Sequence, residues 1–368
     1  MIPVAEPLLG KDELDSVIKA IQSGWISSRG KFIPEFEEQF AHYCGVKYGV
    51  SSSNGTAALH LALTALGVRG GDEVIVPSLT FIATANAVRY TGAEPVFVDS
   101  HPHYWCIDPE KIEEKITRRT KLIIPVHLYG HPCDMYPIAK IARRYNLFIV
   151  EDAAEAHGAE YRGRKIGSFG DISCFSFYGN KIITTGEGGM CLTNSRKLYN
   201  KMRILRDHGM NPHKRYWYDV VGFNYRMTNV QAAIGVAQLK NIDRFVKKKR
   251  TIASWYAKEL KDLEKEGLIT LHPERPWAKC VYWMYSILIA DTFRMGRDKL
   301  IAKLQKNGIE TRPFFYPIHV LPPYRRKNAA ELPIAEALGQ KGLCLPSSVG
   351  LKKKIGETIC ATIRYNVK

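Results

Sequence analysis

The sequence predicts an open, mostly parallel α/β sheet followed by a smaller α+β unit, and three observations predict it. Between residues 48 and about 205, short apolar runs alternate with stretches of helical periodicity. Those stretches are long enough to cross over between parallel strands, which a tight hairpin cannot do. Past residue 228 the alternation stops, and a long helical tract leads into a mixture of short strands and helices.

Taken in order, Leu14, Val17, Ile18 and Ile21 fall on one helical face, so an N-terminal helix is expected to pack that face onto the body. Strands are expected at 48–51, 73–76, 95–98, 121–126, 147–150, 172–177 and 189–193. Helices are expected between them at 56–66, 83–90, 109–116 and 135–145. The third has a clear start: Asp108 offers a capping oxygen, and Pro109 lacks an N–H that would be unpaired there anyway. Beyond the sheet, helices are expected at 229–239 and about 243–266, a strand at 281–290, and helices at 299–306, 335–341 and 354–363. The change of pattern puts a boundary near residue 240, with a large domain over 1–240 and a small one over 241–368.

The chain has 368 residues, 45% of them hydrophobic and 24% charged, which supports a buried core and excludes a mainly disordered or collagenous protein. Lys and Arg number 53 against 36 Asp and Glu, and the net +17 raises the question of polyanionic partners. A nucleic-acid binder is the main alternative of another class. Against it, the basic runs 247–250 and 352–354 lie in helical tracts, and zinc-finger, aromatic RNA-binding and basic-zipper patterns are missing. The eight cysteines form no CxxC pair and no zinc spacing, so no metal site is expected and the thiols are read as reduced. His127, His131 and His157 lie on separate segments and are expected to serve hydrogen bonding. The first residues do not pair a basic stretch with an apolar one, and no 18 apolar residues run together. A soluble, cytoplasmic protein without membrane contact is expected.

Ligands of open α/β sheets bind beyond the carboxyl ends of the strands, and three such ends are chemically unusual. After Val50 comes a small, polar turn, 51–56, that opens a helix; free N–H groups there, with Gly55 and Thr56, would suit a phosphate. After the apolar run 147–150 come Glu151, Asp152 and Glu155, which could bind magnesium, serve as acid and base, or hold a protonated ring nitrogen. The third end carries Ser176 and a single lysine, Lys181, ahead of a glycine-rich turn. Partial burial would lower that lysine's pKa and make its amine a nucleophile suited to an aldehyde. A phosphate cradle, an acid for a ring nitrogen and a lysine for an aldehyde are the three anchors of pyridoxal 5'-phosphate (PLP). Neither GxGxxG after a strand nor GxxxxGK[ST] is present to favour a dinucleotide or a P-loop site.

The stretches SNGTAALHLAL, GDEVIVPSLTFIATANAV, VEDAAEAHGA, FGDISCFSFYGNKIITTGEGGM, FNYRMTNVQAAIGVAQL and ETRPFFYPIH resemble, in order, those of the DegT/DnrJ/EryC1/StrS sugar aminotransferases. The resemblance spans most of the chain. It implies a fold-type I PLP enzyme, with a three-layer α/β/α large domain and a smaller C-terminal α+β domain. It implies Lys181 as the lysine joined to the cofactor's aldehyde and Asp152 as partner of the ring nitrogen. Phe81 would stack on the ring, Gly55, Thr56 and Ser176 would hold the phosphate, and Glu155 would approach the ring hydroxyl, where many relatives have Gln. Asn224 would reach the same phosphate from a neighbouring subunit, hence a homodimer with shared sites. Position 181 is Lys and not the His of a dehydratase relative, which implies transamination. Within the family, YGNK, HLYGHPCDM and DVVGFNYRMTN are most similar to members that aminate C4 of GDP-4-keto-6-deoxy-mannose with glutamate; UDP- and dTDP-linked keto sugars are the alternatives.

For a nucleotide-linked sugar, the residues expected to help are His213, Lys214, Arg215 and Tyr216, together with Tyr316 and His319. A diphosphate calls for cations and a base for a flat aromatic or guanidinium surface.

Overall fold

A computed structural model describes residues 1–325 and 331–366. Helices α1 (Lys11–Gln22) and α2 (Phe32–Tyr43) precede β1 (Tyr48–Ser52), α3 (Gly55–Ala65), β2 (Glu73–Pro77), α4 (Ala83–Tyr90), β3 (Glu94–Val98), β4 (Thr120–Ile123), α5 (Met135–Arg144) and β5 (Phe148–Asp152). The short β6 (Glu160–Tyr161) and β7 (Arg164–Lys165) lead to β8 (Ile172–Ser176), β9 (Gly189–Thr193) and α6 (Arg196–Arg206). The seven-stranded sheet runs β1-β9-β8-β5-β4-β2-β3; β9 alone is antiparallel to its neighbours. Its strands read as continuous apolar runs because both faces are covered. Alternation along β8 sends Cys174 into the core under α3 and Phe175 into the opposite core, where it meets Phe40 of α2 edge-on at 4.9 Å.

The rest comprises α7 (Asn229–Leu239), α8 (Ile242–Glu259), α9 (Lys261–Lys265), β10 (Ile269–Thr270), β11 (Ala278–Lys279), β12 (Tyr285–Ile289), α10 (Arg297–Lys306), β13 (Arg312–Pro313), α11 (Pro333–Lys341), β14 (Gly342–Leu345) and α12 (Lys353–Tyr365). A second, antiparallel sheet has the order β10-β12-β14-β13. It shares a core of Tyr256, Tyr285, Leu300 and Ile359 with α8, α10 and α12. The chain start joins this unit, since Ile2 bridges to Ile309 and Val4 accepts from the Ser347 N–H. β11 pairs with β6, which ties the second unit to the loop after β5.

Two expectations need correction. Segment 109–116 forms two 3-10 turns and not an α-helix, because only Pro109 and Ile112 are buried and a single apolar anchor gives no stripe to pack. The start is as expected, with Asp108 accepting from the Glu110 N–H at 3.1 Å. Helix α1 forms, but Leu14, Ile18 and Ile21 face outward at 60%, 41% and 58% exposure. It packs through Ala20 and Glu13 instead, and the Glu13 carboxylate accepts from Gln238 of α7 at 2.8 Å. A paired carboxylate can be buried, and here it chooses the face.

Candidate active site

The carboxyl ends of β1, β5 and β8 open into a cavity of about 690 Å³, lined by Gly55, Thr56, Phe81, Asp152, Glu155, Ser176 and Lys181 among others. These are seven of the residues expected at a cofactor site, brought together from four segments of the chain.

At the first end, Asn54 caps α3 by accepting from the Ala57 N–H at 2.8 Å. The helix then starts hard against β8: a Cβ on Gly55 would lie 2.7 Å from that of Ser176. Glycine is required by this approach, and it leaves Thr56 and Ser176 facing the same space with the helix N–H groups. The cradle therefore suits a phosphate.

At the second end the pleat separates the acids. Glu151 is fully buried on the far side, accepting N–H bonds from Gly167, Phe169 and Gly170 at 3.0, 2.8 and 2.8 Å with His127 Nε2 at 3.3 Å. The bond from His127 and these N–H groups outweigh burial and lower its pKa. It holds the 167–170 turn and does not line the cavity. Asp152 does: Thr84 Oγ1 donates to its Oδ2 at 2.8 Å and the Ala154 N–H to its Oδ1 at 3.2 Å. Burial nonetheless raises its pKa. A carboxylate so placed favours a cationic partner, which a protonated ring nitrogen would be. His127 Nδ1 accepts from the Cys133 N–H at 3.0 Å and His131 Nε2 from the Arg275 N–H at 3.2 Å, so both serve hydrogen bonding as expected. His157 does not: it is fully buried among Phe40, Phe175 and Phe177, with neither ring nitrogen hydrogen-bonded among the described residues.

At the third end Lys181 sits on the turn after β8, its own N–H bonded to the Tyr178 carbonyl at 2.9 Å. Its side chain is 11% exposed. Nζ lies 3.7 Å from the centre of the Trp283 ring and 3.8 Å from Glu155 Oε1. Burial lowers the lysine's pKa, which favours the neutral amine that can attack a carbonyl or take a proton. Glu155 is pushed the other way by burial, up to about 7, although it accepts from the Tyr129 N–H at 2.7 Å. Tyr129 adopts φ 52° to make that bond.

The Glu155 shift has a sign that can be tested. Its folded-state pKa of about 7 exceeds the ordinary 4.5, so the folded apoprotein binds more protons than the unfolded chain between those values. Its contribution to stability is therefore fully present below 4.5 and is lost as pH rises to about 7. Glu155→Gln should gain thermal stability over the parent progressively across that window and no further above it. A constant difference from pH 4.5 to 8 in paired melting scans would refute the shift.

The remaining expected residues are placed elsewhere. Asn224 is exposed, outside its own chain's cavity, and accepts from Arg226 at 3.0 Å. Arg215 and Tyr216 lie on an exposed loop, the guanidinium 4.8 Å from the tyrosine ring centre. Tyr316 is 60% exposed and does not line the cavity. His319 is buried with both ring nitrogens engaged, Nδ1 by Ser78 at 2.6 Å and Nε2 by Glu336 at 3.1 Å. It joins the loop after β2 to α11 and has no free nitrogen to offer a substrate. Thr84, Trp283 and Arg312 also line the cavity and were not singled out from the sequence. For Thr84 the usable signal is its place at the start of α4; nothing local marks the other two.

Fold and site together define a PLP-dependent aminotransferase of fold type I. The relationships are specific: the chain belongs to the DegT/DnrJ/EryC1/StrS aminotransferase family, whose model matches residues 7–364. It is 51% identical over 362 residues to the GDP-perosamine synthase of Caulobacter vibrioides, covering 98% of this chain and 97% of that protein. It is 49% identical to the GDP-perosamine synthase of Escherichia coli O157:H7, with the same coverage. Among solved structures, the Helicobacter pylori aminotransferase PseC, involved in the biosynthesis of pseudoaminic acid, superposes with a TM-score of 0.94 at 29% identity, covering 100% of this chain and 99% of that one.

Proposed function

We propose that the protein transfers the amino group of L-glutamate to the C4 ketone of GDP-4-keto-6-deoxy-D-mannose, forming GDP-perosamine. The carrying observation is the full-length similarity to two GDP-perosamine synthases, 51% and 49% identical, joined to a cavity that holds the lysine, acid and phosphate cradle of the chemistry. The product would be a deoxyamino sugar for a surface polysaccharide such as a lipopolysaccharide O-antigen. The setting is cytoplasmic; among the described residues no helix is long and apolar enough to cross a membrane.

Bound in this cavity, PLP supplies an aldehyde to carry the amino group and a ring to withdraw electrons. Lys181 Nζ would take the proton from the donor's Cα and deliver it to the carbon that brought in the aldehyde, acting as base and then acid. Asp152 keeps a proton on the ring nitrogen, and Gly55, Thr56 and Ser176 hold the phosphate. Phe81, 55% exposed at the mouth beside Phe315, covers one ring face. Glu155, its pKa raised by burial, would approach the ring hydroxyl in its neutral form without repelling it.

The functional unit is a homodimer. Supporting this are the outward apolar face of α1 and the exposed run Tyr216, Trp217, Tyr218, Val220 and Val221. Asn224 follows that run and is free to serve the partner's phosphate site, while Arg215, Tyr216 and Tyr316 would meet the nucleotide. The division near residue 240 separates a cofactor-binding domain, 1–240, from a smaller domain, 241–368, onto which the first few residues of the chain also pack.

Offering GDP-, UDP- and dTDP-linked 4-keto and 3-keto sugars with glutamate, and following amino-sugar by mass, tests this directly. Selective amination of the GDP-4-keto-6-deoxy sugar is expected; conversion of a 3-keto sugar alone would reject the assignment and leave the family untouched.

A further inference from the structure

The cavity's own charges pose a recognition problem. Among the described residues its lining contains three acidic side chains, Asp152, Glu155 and Glu187, and two basic ones, Lys181 and Arg312. Lys181 is committed to the chemistry. An amino donor such as glutamate brings two carboxylates of its own, and an anion does not enter a partly desolvated cleft without a cation to receive it.

Arg312 has the position and the freedom for this. It stands on β13, paired with Cys344 of β14. The following Pro313 and the buried Phe314, packed 4.6 Å from the Tyr129 ring, fix the strand against the wall that carries Glu155's backbone donor. Among the described residues the guanidinium has one carboxylate contact, to Glu310 Oε1 at 3.5 Å, with both side chains more than a third exposed. A pair that long and that wet holds its arginine weakly. Glu310 is anchored independently, its Oε2 accepting from the Val4 N–H at 3.0 Å.

We infer that Arg312 is the specificity residue for the amino donor, its guanidinium receiving a donor carboxylate in the first half-reaction and resting on Glu310 when the sugar occupies the site. A planar fork matches a carboxylate in two parallel bonds, and a resting partner avoids leaving a bare cation against the uncharged sugar ring. The diphosphate of the nucleotide then falls to other cations, those of the 213–216 loop.

This rests on the aminotransferase reading, and the experiment separates the two. In Arg312→Gln holoenzyme, the donor half-reaction is followed alone by loss of the bound cofactor's visible absorbance on adding glutamate. The KM for glutamate should rise roughly 10- to 100-fold, as expected for losing a charge-assisted bidentate contact. The KM for the nucleotide-sugar should change less than about threefold. Arg312→Lys, which keeps the charge and loses the fork, should recover part of the loss. With 4-aminobutyrate or glutamine as donor, each lacking one carboxylate, the parent's penalty and that of Arg312→Gln should coincide for the carboxylate that Arg312 binds. An unchanged glutamate KM, or an equal rise for both substrates, overturns the assignment. Failure of the keto-sugar panel would leave this donor measurement intact, because no sugar takes part in it.

Discussion

Replacing Lys181 with Ala should bring both half-reactions to background: no loss of cofactor absorbance with glutamate and no amino-sugar by mass. Two functions are removed at once. General acid–base catalysis by one side chain contributes about 10²- to 10⁴-fold, and the covalent anchor for the aldehyde goes with it. Among the described residues the lining contains no second lysine. Lys181→Arg should be equally inactive, since a guanidinium keeps the charge and cannot give up its proton near neutral pH. The apoproteins should still fold. Burial already disfavours charge on both Lys181 and Glu155, so losing the amine leaves a neutral carboxyl rather than a stranded anion. Borohydride treatment of the parent should fix the cofactor on the peptide carrying residue 181; a tag elsewhere, or turnover by either variant, would move the chemistry to another residue.

How much of this was readable beforehand depends on where each signal lives. Asp152, Lys181 and the Gly55 turn were readable because each sits where an apolar strand ends, and the sheet topology makes those ends converge. The strand runs around them were readable because a sheet covered on both faces needs unbroken apolar residues. Trp283 and Arg312 were not, because they reach the cavity from the second unit, about 100 and 130 residues beyond Lys181 in the chain, and no local pattern encodes that meeting. His319 shows the opposite failure: a polar ring in a promising motif proved to be spent on Ser78 and Glu336. The α1 face is a third kind. Periodicity reports that Leu14, Ile18 and Ile21 share a face, but what covers it is a property of neighbours, and here the Glu13–Gln238 pair turned it outward.

Asp152→Asn should separate binding from catalysis more cleanly than any other change in the site. Asparagine is nearly isosteric, and its carbonyl oxygen can still accept from Thr84 or from the Ala154 N–H, so the fold around β5 should persist. The phosphate cradle and Lys181 are untouched, and the variant should therefore still take up the cofactor. What disappears is the negative charge that makes a proton on the ring nitrogen favourable in a buried setting. Burial raises the Asp152 pKa, which makes the carboxylate costly to keep ionised unless a cation faces it; the same geometry makes the cation costly without the carboxylate. Each stabilises the other, and neutralising one side removes the coupling. A loss of about 4 kcal/mol in the transition state is then expected, a fall in kcat of roughly a thousandfold. The apparent cofactor affinity should fall far less. Were Asp152→Asn to keep most of its kcat, the carboxylate would be only an anchor for Thr84, and the ring proton would have to be held by another group in the cavity.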